Sequence, residues 1–590
     1  MKNYLFPVLI SLFLFFSIAF SQSPSRKVYT TSLTYPQIIS AYEVFAKQSA
    51  YCKLLTYGTT DVGKPLHLFV ISKTKEFNPE ILRKQNKRIL LINNGIHPGE
   101  PDGIDASIEM VNTLLKGESN APVEASGKAG IPNDVVICII PVYNIDGCLN
   151  RGKYSRVNQN GPEEYGFRGN AQNLDLNRDF IKADSKNSQT FTQIFQTWQP
   201  DVFVDNHVSD GADYQYIMTL ITTQRDKLHP VLSKYMTEEM VPQLYAQMKT
   251  RNYEMSPYVQ SKGETPDNGI VEFIESPRYS SGYAALFNCI SFIPETHMLK
   301  PYNDRVWATY ELLFSMLEVM QKDAAKIGRL KSDADAQLKT QKQFHLNWHL
   351  DTTQFDSIDF KGYKAIHNPS SISGLQRLSY DKKFPYTKRI RFYNHYKPSV
   401  TTSKADKYII PQAWEKVIER LKMNNVEMKR LVKDTSIICE VYYITGYETV
   451  KNPYEGHYLH YNIKTRKETQ TLNFHKGDFI IESNQSCNRY IIETLEPEGG
   501  DSFFAWNFFD AILQQKEWFS DYVFEEKAEE ILKNNPAIKE ELEAKKTQDT
   551  SFAKNHWTQL SFIYKRSPYY EKSHMRYPVV RWNTTTKSGY

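Results

Sequence analysis

RILLINNGIHPGEPDGIDASIEMVNTLL, residues 88–115, decides the fold. Ile89, Leu90, Leu91 and Ile92 form an unbroken apolar run, the mark of a strand covered on both faces. Ile104, Ile108, Val111 and Leu115 then recur at helical spacing and give one buried stripe. A strand that feeds a helix through a short turn is the unit of an α/β sheet. Three more apolar runs follow: VVICII at 135–140, VFV at 202–204 and ISFI at 290–293. With helical patterns between them, they predict an α/β unit over residues 25–330, a mixed and mainly parallel sheet flanked by helices.

Beyond residue 330 the pattern changes. Residues 303–345 read as a long helix followed by a polar connector, KSDADAQLKTQK. Strand-like RIRFYNHY, IICEVYYITGY, HYLHYNIK and GDFIIES come next, with helix-like AWEKVIERLKMN among them and a charged helix expected over 524–547. Residues 346–590 are therefore expected to be a second, strand-rich α+β domain of unassigned role. Its tyrosines and phenylalanines suit core and sheet surface, with a glycan-binding face as the rival reading.

A chain of 590 residues has room for two or three domains. Its 41% apolar and 24% charged residues make a globular composition. Its 72 basic and 67 acidic residues leave +5, with no basic stripe, which argues against nucleic acid as a partner. MKNYLFPVLISLFLFFSIAFSQ at 1–22 joins a short positive end to an apolar stretch and small residues, so 1–21 reads as a signal peptide for export to the periplasm or medium. No later stretch approaches a membrane span, so no stable span is expected once the signal is removed. Three of the six cysteines, Cys138, Cys289 and Cys439, sit in apolar runs and suit buried thiols, although a Cys138–Cys148 bridge stays open. GTTDVGKP at 58–65 nearly spells a phosphate loop, but Pro65 offers neither hydroxyl nor N–H and a strand follows, so it reads as a hairpin turn.

The chemistry gathers just past the apolar runs. NNGIHPGE puts His97 and Glu100 three apart in the first turn, and DVFVDNH ends in His207. Two imidazoles and a carboxylate are the ligand set of a catalytic zinc that keeps one place open. In an open α/β sheet such groups converge at the carboxyl ends of the strands. Asp205 or Asn206 could orient a ligand from behind. ISFIPE ends in Glu295, a carboxylate suited to take a proton from water and pass it to a leaving amine. GFRGNAQNLDLNRDF supplies Arg168, Asn177 and Arg178, donors that match a carboxylate or an oxyanion; loop salt bridges with Asp175 and Asp179 are the rival use.

With these segments in order (H-P-G-E at 97–100, N-I-D-G at 144–147, D-L-N-R at 175–178, D-N-H at 205–207 and P-E-T-H at 294–297) the sequence resembles the zinc carboxypeptidase family typified by carboxypeptidase A, over roughly residues 30–325. The resemblance implies one Zn²⁺ per chain on His97, Glu100 and His207. It implies a metal-activated water with Glu295 as general base, and Asn177 and Arg178 holding the free α-carboxylate of a peptide substrate. An upstream arginine would stabilise the oxyanion; Arg168 is the choice and Arg156 the runner-up. A substrate-binding tyrosine would come from ESPRYSSGYAAL, where Tyr283 is favoured over Tyr279. The expected protein is an exported zinc metallocarboxypeptidase. Its rivals are a zinc amidohydrolase or deacylase acting on cell-wall peptides or acyl-amino acids, and a non-catalytic glycan- or peptide-binding module.

Overall fold

Nine strands form the central sheet of the computed structural model, which describes residues 26–118 and 130–583. Their ranges are β1 Cys52–Thr59, β2 Pro65–Ile71, β3 Arg88–Asn93, β4 Val135–Ile140, β5 Val202–Asp205, β6 His207–Ser209, β7 Met218–Thr222, β8 Met255–Pro257 and, last in the chain, Ile290–His297. The expected signal peptide lies outside the described residues. β1 and β2 are the hairpin that GTTDVGKP turns, closed by the bond from the Thr60 N–H to the Lys64 carbonyl. β3 lies parallel between β4 and β5, and the strand Ile290–His297 lies parallel to β5 and then β6. Only the flanks, β1–β2–β4 and β7 against Ile290–His297, run antiparallel. The apolar runs of β3 and β4 are buried along almost their whole length because helices cover them. The helix Asp102–Glu118 packs along the helix Tyr302–Thr340, which lies on β3 and β4, while the helix Lys186–Trp198 covers β1 and β2.

The second half of the chain is strand-rich, as expected, but it does not stand apart. The helix from Tyr302 runs unbroken to Thr340, so the polar stretch read as a connector is its last three turns. Ala334 and Leu338 are buried there, and Asn488 donates to the Leu338 carbonyl. One apolar core continues from Tyr29 to Val579. A long hairpin, Asp356–Pro369 with Gln376–Tyr393, extends the small sheet begun by Gln260–Ser261 and Ile270–Val271. A six-stranded sheet follows, built around Thr435–Thr449 and His460–Phe474. The charged helix expected over 524–547 is two helices, Asp521–Asn534 and Pro536–Gln548; Pro536 has no N–H to continue the first and starts the second. All six cysteines are buried free thiols, so Cys138 and Cys148 are not bridged. Among the described residues no helix is long and apolar enough to cross a membrane.

One buried ion pair locks the long helix to the turn after β3. Arg305 has no exposed surface, and its Nε lies 2.9 Å from Asp102 Oδ2. The guanidinium also donates to the carbonyls of Met298, Lys300, Asn160 and Gly161, so no N–H is wasted. Thr296 donates its hydroxyl to the same Asp102 carboxylate. Removing the cation strands a buried acid, which costs about 3–5 kcal/mol. Arg305→Ala should lower the unfolding free energy by that amount in a urea titration; a loss under about 1 kcal/mol would mean the pair behaves as a surface bridge.

Candidate metal and catalytic site

His97 and Glu100 sit in the turn between β3 and the helix Asp102–Glu118, with the Glu100 N–H bonded to the His97 carbonyl. Gly99 is needed there. A Cβ at this position would fall 2.7 Å from Arg156 Cδ and 3.1 Å from the Gly166 carbonyl oxygen. His207 opens β6, one residue after β5 ends, and its Cα is paired with that of Glu295 on the neighbouring strand. The parallel register thus delivers a ligand and an acid to the same height of the sheet.

The three ligand atoms of His97, Glu100 and His207 lie within 4.8 Å of one another, and all three residues are buried. His97 Nδ1 is 3.3 Å from Glu100 Oε1, and His207 Nδ1 is 3.2 Å from Glu100 Oε2. Both rings are backed by carboxylates on the far side. His97 Nε2 meets Asp175 Oδ1 at 2.9 Å and His207 Nε2 meets Asp205 Oδ2 at 3.1 Å. The His97–Asp175 hydrogen bond places the His97 ring proton on Nε2 and leaves its Nδ1 turned inward, the arrangement of a metal-binding imidazole, and His207 likewise presents Nδ1 to Glu100. His97 Nδ1 is buried with no hydrogen-bond partner, so the donor set fits a divalent cation and is unsatisfied without one. Of the two neighbours of His207, Asp205 is the one that faces its ring; Asn206 donates instead to Asn94 Oδ1 at 2.8 Å.

The charges around the site favour a cation. Burial works against ionised Glu100, yet its neighbours His97 and Arg156 hold its carboxyl well below the usual range. Burial likewise opposes a charged His207, but Asp205 and Glu100 raise its proton affinity well above normal. Asp175 is also kept ionised against burial, by His97, Arg168 and Arg178.

A cavity of 570 Å³ opens over these ligands. Glu295 lines it, and burial pushes this carboxyl up to about 8, with His207 opposing and Glu100 adding to the push. Arg156, Arg168, Asn177 and Arg178 line it as well. Arg156 is committed on every nitrogen: Nε to Gln159, Nη1 to Glu100 at 2.8 Å, and Nη2 to the Val208 carbonyl. Arg168 is tied by Nε to Asp175 at 2.9 Å and more loosely by Nη1 to Glu100 at 3.5 Å. Asn177 accepts from the Ser280 N–H, and the Arg178 guanidinium stacks 4.3 Å from the centre of the Tyr279 ring.

Tyr283, favoured from the sequence, is not in the cavity. It lies one helical turn beyond Tyr279, on the inward face of the helix Ser280–Ala285, and is wholly buried. Its hydroxyl donates to Asn424, and its ring packs on Phe180, Phe195 and Phe287. Tyr279 takes the lining position instead. Two acids were not singled out from the sequence as parts of the site. Asp175 was read only as a loop partner for arginine, although D-L-N-R places it two residues from Asn177. Glu275 lines the cavity and is buried, its carboxylate accepting from the Ser281 N–H; in ESPRY it carries no spacing signal.

The sequence model of the family described as zinc carboxypeptidase matches residues 39–272 of the chain. The match includes His97, Glu100, His207, Arg168, Asn177 and Arg178 and stops short of Glu295. Carboxypeptidase 2 of Trichophyton equinum is 20% identical over 442 residues, covering 70% of this chain and 72% of the relative. Carboxypeptidase 2 of Trichophyton rubrum is likewise 20% identical, over 439 residues, with coverage of 70% and 72%. Among solved structures, a metallo-carboxypeptidase from Burkholderia cenocepacia aligns over 49% of this chain and 70% of its own at 14% identity and a TM-score of 0.36.

Asp205→Ala removes the carboxylate behind His207. It should weaken zinc binding about 10- to 100-fold in a chelator competition; unchanged affinity would show that the ring is oriented by something else.

Proposed function

We propose that the chain is an exported, zinc-dependent metallocarboxypeptidase that removes the C-terminal residue of peptides, with one zinc per chain on His97, Glu100 and His207. The reading is carried by one observation: the ligand cluster, Glu295 and Arg178 all line a single cavity. Export is supported by the composition of residues 1–21.

Bound at the cluster, zinc supplies Lewis acidity toward a peptide carbonyl and toward water. The protein supplies the rest. Glu295, which lines the cavity beside the ligands, takes the proton of the attacking water and hands it to the departing amine nitrogen. Hydrogen bonding from Arg168 meets the charge that develops on the carbonyl oxygen; its bonds run from Nε and Nη1 and leave Nη2 for substrate, where Arg156 holds a partner on every nitrogen. Arg178, braced on the Tyr279 ring, and Asn177 grip the terminal carboxylate and so fix the bond to be cut one residue from the end. Tyr279 closes on the substrate from beside Arg178, in the role first assigned to Tyr283.

Glu295→Gln should keep its zinc and lose about 10²- to 10⁴-fold in kcat; parental turnover would remove Glu295 as the base. Arg178→Ala should raise KM for free-acid peptides roughly thirty-fold, the equivalent of about 2 kcal/mol for a lost charged hydrogen bond. Peptides ending in an amide should be little affected, and an equal loss on both would rule out the carboxylate clamp.

A further inference from the structure

The stretch between the helices Ile145–Leu149 and Lys186–Trp198 is irregular apart from one 3₁₀ turn at Leu176–Arg178, yet it carries Arg168, Asp175, Asn177 and Arg178. An irregular segment of this length holds a fixed shape only if its backbone groups find partners. Several come from the C-terminal half of the chain. His457 Nε2 meets Asp184 Oδ2 at 2.7 Å, and Arg420 donates to the carbonyls of Lys182 and Ala183. The contact nearest the metal ligands comes from Glu455, whose Oε2 accepts from the backbone N–H of Asp175 at 2.7 Å.

Glu455 sits in an unusual place for an acid. It lies in a tight turn closed by paired bonds between Tyr454 and His457, with a φ of 50°, the left-handed region that a residue with a Cβ adopts at a cost. Burial and the neighbouring Asp175 charge both work against its ionised form. Asp175, in turn, is the hub of the loop. Its carboxylate meets His97 Nε2 and Arg168 Nε and accepts the Asn177 N–H. A shift of the Asp175 backbone would therefore turn a ligand ring, move the oxyanion arginine and displace the start of the substrate clamp together.

We propose that Glu455 is a positioning residue: the C-terminal half reaches into the catalytic unit and, through the Asp175 backbone, sets the orientation of His97 and Arg168. The second half of the chain is on this account part of the metal site and not an appended module. The inference rests on the reading of His97 as a metal ligand.

The test uses the full chain loaded with zinc. Glu455→Ala should weaken zinc binding at least about tenfold, the scale of a lost outer-shell partner, and should lower kcat more than it raises KM. Glu455→Gln keeps an oxygen acceptor for the same N–H and should restore zinc affinity to within about threefold. Lys361→Ala breaks a different contact between the two halves, the ion pair to Glu254, and should leave zinc binding unchanged. Parental zinc affinity in Glu455→Ala, a Gln variant as impaired as Ala, or an equal loss in Lys361→Ala would each overturn the proposal. Should Glu455→Ala fail to fold, Glu455→Asp suits the left-handed turn but falls short of Asp175; weakened zinc binding is expected there, and parental affinity overturns the idea. His97→Ala separates the two readings. If the parent binds zinc and His97→Ala does not, unchanged binding in the Glu455 variants sinks this inference alone; if His97→Ala binds as the parent does, the ligand assignment itself fails.

Discussion

The Glu100 carboxylate is the charge on which the site is built. It is buried at the carboxyl edge of the sheet, between two imidazoles, and is met by Arg156 Nη1 and by the Val208 N–H at 2.8 Å. An ionised acid in such a place is tolerable only with several partners at once. The site then adds more acids: Asp175 and Asp205 back the two imidazoles, and Glu275 and Glu295 line the cavity, against Arg156, Arg168 and Arg178. A cation held by His97, His207 and Glu100 would balance this excess and satisfy the orphaned His97 nitrogen in one step.

The fold serves this requirement through register. β3, β5 with β6, and the strand Ile290–His297 are neighbours in a parallel array, so their carboxyl ends fall on one edge. The break at Asn206 between β5 and β6 turns His207 in toward Glu100 while keeping it opposite Glu295. The helix after β3 is pinned by Asp102 to Arg305, which anchors the turn that carries His97 and Glu100. Precision at the ligands thus comes from strand pairing and one satisfied guanidinium, while the arginine and asparagine donors that line the cavity come from a loop.

This division explains what could be read from the sequence. The strand ends were legible because apolar runs mark buried parallel strands and the polar residues that interrupt them stand out, as His97, His207 and Glu295 do. The loop was legible only as a dense set of donors. Which arginine is bonded at every nitrogen depends on Gln159 and Val208, partners of Arg156 that the motif spacing does not point to. The tyrosine was misjudged for a similar reason. Tyr279 and Tyr283 are one helical turn apart, and only the packing of Phe180, Phe195 and Phe287 decides which of them faces inward. The break at Pro536 was written in the sequence but lay inside a run of charges that masked it.

The composition change near residue 330 does not coincide with an end of the apolar core. A composition change reports a change of secondary structure, not an end of the core. The helix Tyr302–Thr340 crosses it, and the apolar core continues on the far side through Tyr408, Tyr490 and Trp506. Arg278, which follows closely on the cavity-lining acid Glu275, would have no buried partner in a catalytic unit standing alone; here it forms an ion pair with Asp501 and lies over the Trp506 ring. The loop that bears Asn177 and Arg178 is held in the same way by Arg420 and His457. A sheet can order its own strand ends, but it cannot order a long irregular loop that lies beyond them. In this chain that work falls to the second half, which is why the two halves share one core.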